Sequence, residues 1–252
     1  MRIREIFQTP VEEDIEPVVK VGERQDDTKL AAEIGSYVVT PTIERYIDDL
    51  LEHYTDTLRL KTGEIGVWIS GYFGSGKSYF AKIAGLLIEN RILDGCSASE
   101  RFEARIVNAS RCSSMQRSLS RLSQCDTQVL AFNINSLIDS KTTPLPKILL
   151  SQYYLAQGYG TNLVYARVIE AELDKRGKLP ELHSTIERLA KKPWQELQKN
   201  LGFYQKYLYQ AVCEVAPDVF STPEEVDKAL TTAQQGDLYN IQFLVQTILD
   251  DL

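Results

Sequence analysis

Between residues 40 and 60 the apolar positions fall three and four apart: Ile43, Ile47, Leu50, Leu51, Tyr54 and Leu58. That spacing lines one face of a helix, because 3.6 residues complete a turn. Thr40 stands where an N-cap is needed, and Pro41 fits the first helical position, where a missing N–H costs nothing. The glycine of KTGE, residues 61–64, predicts the end of that helix. The pattern then changes. Residues 65–70 read IGVWIS, a short apolar run with β-branched members and glycines behind it, which predicts a buried strand. Helical spacing returns in KSYFAKIAGLLIENRIL, where Phe80, Ile83, Ala84, Leu87 and Ile88 share a face.

Residues 95–127 are polar and rich in Arg and Ser, and predict two short helices. QVLAFNIN, residues 128–135, predicts a second strand, and residues 140–146 a loop. Beyond that the periodicity is helical, near 147–157, 161–175, 180–191, 193–213, 222–233 and 238–250. Pro180, Pro193 and Pro223 fall at helix starts, and Gly160, Gly177 and Gly236 fall in the breaks. Residues 1–36 read as irregular and acidic, with a small strand from Val18 to Val21.

Between the first predicted strand and its helix stands GYFGSGKS, from Gly71 to Ser78. It matches G-x-x-x-x-G-K-[ST], the loop that cradles a nucleotide's phosphates. Gly74 and Gly76 allow positive φ and close approach of the backbone to an anion. Successive N–H groups of Ser75, Gly76, Lys77, Ser78 and Tyr79 then face inward as a nest, and the helix start adds its unpaired N–H groups. Lys77 is the expected catalytic residue, reaching the β- and γ-phosphates, and the Ser78 hydroxyl is the expected Mg²⁺ ligand. ATP and Mg²⁺ are therefore the expected ligands. Tyr72 and Phe73 are expected to pack under the loop, with stacking on a base as the alternative.

Order and motif together predict an α/β chain: an AAA-like P-loop NTPase core, incomplete here, followed by a large helical C-terminal part. The expected division is an acidic segment and helix at 1–60, the α/β core at 61–146, and a helical insertion or subdomain at 147–252. Hydrolysis also needs a carboxylate at a second strand end. The run at 128–135 offers Asn133 and Asn135 instead. The final FLVQTILDDL ends in two aspartates, yet Phe243, Leu244, Ile248 and Leu249 have helical spacing, so a helix is expected there. Two strands are too few for such a sheet, so both the sheet and its acidic residue are expected to continue beyond Leu252.

YVVTPTIERYIDDLLEHY, GVWISGYFGSGKSYFAKIAGLLIENRIL and VLAFNIN together resemble the N-terminal region of the large P-loop protein of BREX bacteriophage-defence systems, the BrxC/PglY ATPases. The resemblance covers most of residues 1–155. It implies an N-terminal fragment of a larger ATPase that self-associates and works with other BREX subunits, including a DNA methyltransferase, with DNA reached through the complex. Gly71, Gly74, Gly76, Lys77 and Ser78 are the positions that match the family motif.

Charge and composition narrow the picture further. Net charge is −7, and residues 1–60 carry 14 Asp/Glu against 7 Lys/Arg, which argues against non-specific nucleic-acid binding by that segment. Arg101, Arg105, Arg111, Arg117 and Arg121 form a basic insert, expected to be solvated surface or, alternatively, a nucleic-acid or subunit contact. Four scattered cysteines and two distant histidines, His53 and His183, give no zinc-ligand spacing. No apolar run is long enough for a membrane span and no signal peptide is evident, so a cytoplasmic protein is expected. Two other functions fit parts of this pattern: an interaction module that docks partner subunits without nucleotide, and a P-loop small-molecule kinase.

Overall fold

The computed structural model describes residues 26–60, 66–106, 109–138, 143–235 and 240–251. The chain forms two compact units that part between Asn133 and Ile134. Helices on both sides of residues 60/61 share one core.

The first unit contains α1 (Asp27–Ser36), α2 (Pro41–Arg59), α3 (Lys77–Glu89), α4 (Ala98–Glu103) and α5 (Ala109–Leu122). Between α3 and α4 lies a small antiparallel hairpin, β1 (Ile92–Leu93) with β2 (Cys96–Ser97). Thr40 caps α2 as its sequence predicts: its hydroxyl accepts the Ile43 N–H at 3.3 Å. Ile47 and Leu51 carry the apolar stripe of α2 into the core, where α2 packs on α5. Phe102, Ile83, Leu87 and Met115 fill the same core.

Helix α1 corrects the irregular reading of residues 1–36. Asp26 caps it, and Leu30, Ala31 and Ile34 are buried against α4 and β1. Its apolar stripe covers little more than one turn, too little to be read without those neighbours. The small strand expected at 18–21 lies outside the described residues. Helix α3 ends earlier than its apolar pattern suggests. Asn90 takes a left-handed conformation, φ 46°, and its N–H closes on the Leu86 and Leu87 carbonyls. Asp94 and Gly95 follow with φ of 47° and 75°, the two positive values that a two-residue hairpin turn requires.

The expected α/β core is not what forms. Among the described residues the only ladder is that hairpin, and the fold is helical. Residues 66–70 have no strand partner, and Val67 and Trp68 stand 67% and 91% exposed. Residues 128–133 also lack a ladder and run beside α3. There Thr127 donates its hydroxyl to the Ile88 carbonyl at 2.9 Å. A Cβ at Gly85 would come within 3.1 Å of Val129 Cγ1, a tight contact that would require the valine to shift by a few tenths of an ångström. The physical reason is that an apolar run becomes a strand only where other strands take up its N–H and C=O groups. The two runs do not pair with each other or with any described neighbour.

The second unit begins with a short 3₁₀ turn (Ile134–Ser136) and α6 (Leu145–Ala156). α7 (Leu163–Tyr165) continues through a π turn (Ala166–Glu170) into α8 (Ala171–Lys175). Then follow α9 (Leu179–Ala190), α10 (Trp194–Leu197), a 3₁₀ run (Gln198–Tyr204), α11 (Gln205–Val215), α12 (Pro223–Gln235) and α13 (Ile241–Asp251). The helix expected over 193–213 is broken at Asn200, whose φ of −138° is not helical. α9 packs on α11, with Leu182, Ile186, Leu208 and Val212 buried, and α12 closes against α11. No described helix is long and apolar enough to cross a membrane.

Candidate functional site

The glycine loop joins the exposed run at 66–70 to the first turn of α3. Gly74 and Gly76 have φ of 77° and 83°, conformations that cost an L side chain about 1–2 kcal/mol each. The Ser75 N–H turns back to the Tyr72 carbonyl at 3.2 Å. The Ser75 hydroxyl folds over Gly71, where a Cβ would lie 2.7 Å from it. The left-handed path of the loop therefore favours glycine at Gly74 and Gly76, whereas a Cβ at Gly71 would require only that the Ser75 hydroxyl turn away.

Gly76 is the N-cap of α3 and has no side chain to satisfy the helix start. The first helical bond runs from the Phe80 N–H to the Gly76 carbonyl at 2.8 Å. The N–H groups of Lys77, Ser78 and Tyr79 precede it and have no intrahelical acceptor, which gives the helix start its partial positive charge. The Lys77 ammonium reaches back into the loop and donates to the Gly71 and Tyr72 carbonyls at 3.0 and 2.7 Å. An ammonium has three donors, so one remains for an anion. Ser78 is exposed beside it.

The Tyr79 side chain has a part that the sequence reading, which assigned it a backbone role, missed. Its hydroxyl donates to the Glu33 carbonyl of α1, and its ring meets Tyr37 edge-on at 4.7 Å. One turn later Lys82 pairs with Glu33. The start of α3 is thus pinned to α1. An aromatic residue directly behind the lysine–serine pair was the available signal. Tyr72 and Phe73 are 91% and 106% exposed and do not pack under the loop as expected.

Among the described residues no carboxylate bonds or pairs with any residue from Gly71 to Ser78. No described group of three His, Cys, Asp or Glu residues could hold a metal ion. The residues present fit an anion: unpaired N–H groups, a helix start and one ammonium. Ser78 alone could add a hydroxyl to a hydrated Mg²⁺ whose other ligands come from phosphates and water.

Two members of the basic insert have internal partners. Arg101 donates to the Leu93 carbonyl at 2.7 and 3.2 Å, holding the hairpin to α4, and Arg105 reaches the Tyr37 carbonyl at 3.5 Å. Arg117 and Arg121 are exposed on α5, and the Arg111 side chain lies outside the described residues. No protein-family model matches the chain, and no solved structure matches it significantly.

Proposed function

We propose that this chain binds ATP with Mg²⁺ through the loop from Gly71 to Ser78, as the N-terminal part of a large ATPase of BREX type. In that reading the phosphate tail lies against the N–H groups of Gly76, Lys77, Ser78 and Tyr79, and the Ser75 N–H joins them by leaving the Tyr72 carbonyl. Lys77 faces the outer phosphates and Ser78 ligates the metal. One observation carries it: an ammonium clasped inside a glycine loop at a helix start whose N–H groups have no intrahelical acceptor and no capping side chain. Each of these donors favours negative charge, and none has a carboxylate partner among the described residues. The exposed faces of Tyr72 and Phe73 are available for the base.

Binding and turnover separate in this proposal. Among the described residues no carboxylate stands at the loop to hold the metal's second side or orient water, so slow turnover is the expected outcome for this chain. Self-association and contacts to other BREX subunits and DNA belong to the same proposal and rest on the family resemblance. A second reading, nucleotide-independent docking of partner subunits, is favoured by the exposed Val67, Trp68, Tyr72 and Phe73. Titration of a fluorescent ATP analogue in the presence of Mg²⁺ separates the two. Saturable binding that Lys77→Ala weakens by at least about tenfold, the loss of one charge-assisted contact, is expected. Equal affinity in wild type and Lys77→Ala would leave the docking reading in its place.

A further inference from the structure

The second unit contains a cavity of about 700 Å³ walled by the π turn, α8 and α12, a size in the range of about 300–1,000 Å³ typical of small-molecule sites. Arg167 lies in it, on the π turn that interrupts the helix from α7 to α8. An inserted residue of this kind re-aims the side chains around it, and such turns recur at functional sites. The Arg167 guanidinium is part-buried and stacks over the Phe243 ring of α13 at 4.0 Å. It forms no ion pair with any described residue, and burial lowers its pKa, with Tyr154 acting in the opposite direction. Lys228, on the α12 wall, also has no acidic partner among the described residues.

Neither of the cavity's two carboxylates forms an ion pair with Arg167 or Lys228. Glu172 pairs with Arg176 at 2.7 Å, and Glu225 accepts the Ser221 N–H at 2.7 Å. The rest of the wall is formed by Val168, Ala229 and Ala233, with the one hydroxyl of Thr232. A part-buried guanidinium without a counter-charge is costly unless an anion completes it, and its planar fork matches an oxyanion with two parallel bonds.

We propose that this cavity is a second anion site, separate from the glycine loop, in which Arg167 and Lys228 receive the phosphate of a small phosphomonoester and the alanine–valine wall receives its apolar part. The proposal does not depend on nucleotide binding by the loop, and its test is made in a Lys77→Ala chain so that the loop contributes little. Calorimetric titration with phenyl phosphate is expected to show one saturable site, with inorganic phosphate binding more weakly because it leaves the apolar wall empty. Arg167→Gln is expected to weaken phenyl phosphate binding by about tenfold or more, and Arg167→Lys by less, since it keeps the charge and loses the fork. Lys228→Gln, a substitution on an exposed helix face, is expected to weaken binding with the helical circular dichroism unchanged, so the test survives if Arg167→Gln fails to fold. Arg188→Gln, which removes a surface cation already paired with Glu214, is expected to change nothing. The proposal is overturned if phenyl phosphate does not bind, if Lys228→Gln and a folded Arg167→Gln bind it as the parent does, or if Arg188→Gln weakens it equally.

Discussion

Tyr37 and Tyr79 meet edge-on in the first unit, and both phenols are pushed above their ordinary range. For Tyr37 the main cause is burial, with Tyr79 adding to it, and the value rises to about 12. Burial disfavours the phenolate, so the folded chain keeps this proton where the unfolded chain loses it. Below pH 10 both states are neutral and the contribution is fully present. From pH 10 to about 12 the unfolded state ionises first, so stability falls as pH rises. Tyr37→Phe is expected to flatten that decline when urea midpoints are compared across the window. A residual slope remains from Tyr79. An unchanged decline would place the ionisation elsewhere. The pair matters to the site because Tyr79 also ties the start of α3, and with it Lys77, to α1.

At the scale of elements, termini carry much of the specification. α4 opens with a capping box in which the Ser97 hydroxyl accepts the Glu100 N–H at 3.2 Å and the Glu100 carboxylate accepts the Ser97 N–H at 2.9 Å. The bonds from Ser97 hold the Glu100 carboxyl below the usual range. The helix through α7 and α8 is tied differently. At the end of its π turn Glu170 is 2% exposed and accepts the Gly160 N–H at 2.8 Å. The loop before α7 is thereby fastened to the helix after it. Glu170→Ala leaves that buried N–H without an acceptor and is expected to cost about 1–3 kcal/mol by denaturant titration. Glu170→Gln keeps an acceptor oxygen and is expected to cost less. Equal losses in the two variants would show that the carboxylate charge matters rather than this bond.

For the whole molecule, each unit has its own buried apolar core: Phe102, Ile47 and Leu51 in the first, Leu173, Ile186 and Val212 in the second. Residues 134–252 expressed alone are accordingly expected to give a helical circular dichroism spectrum and a cooperative thermal transition. A broad, non-cooperative melt would mean that the second core needs the first unit. Most helices were legible in the pattern of residues. Thr40 and Pro41 announce α2, and the prolines at 180, 193 and 223 stand at or next to helix starts. Gly74 and Gly76 announce the left-handed path of the loop. These are local properties: 3.6-residue periodicity, caps and permitted φ are satisfied within a few residues of chain. Strand formation is not local. Residues 66–70 and 128–133 have the composition of buried strands, yet their backbone groups find no neighbouring strand among the described residues and they stay unladdered. For the same reason α1, the tether from Tyr79 to Glu33, and the placing of Arg167 over Phe243 escaped the sequence reading. Each depends on residues that are distant in the chain and are brought together only by packing.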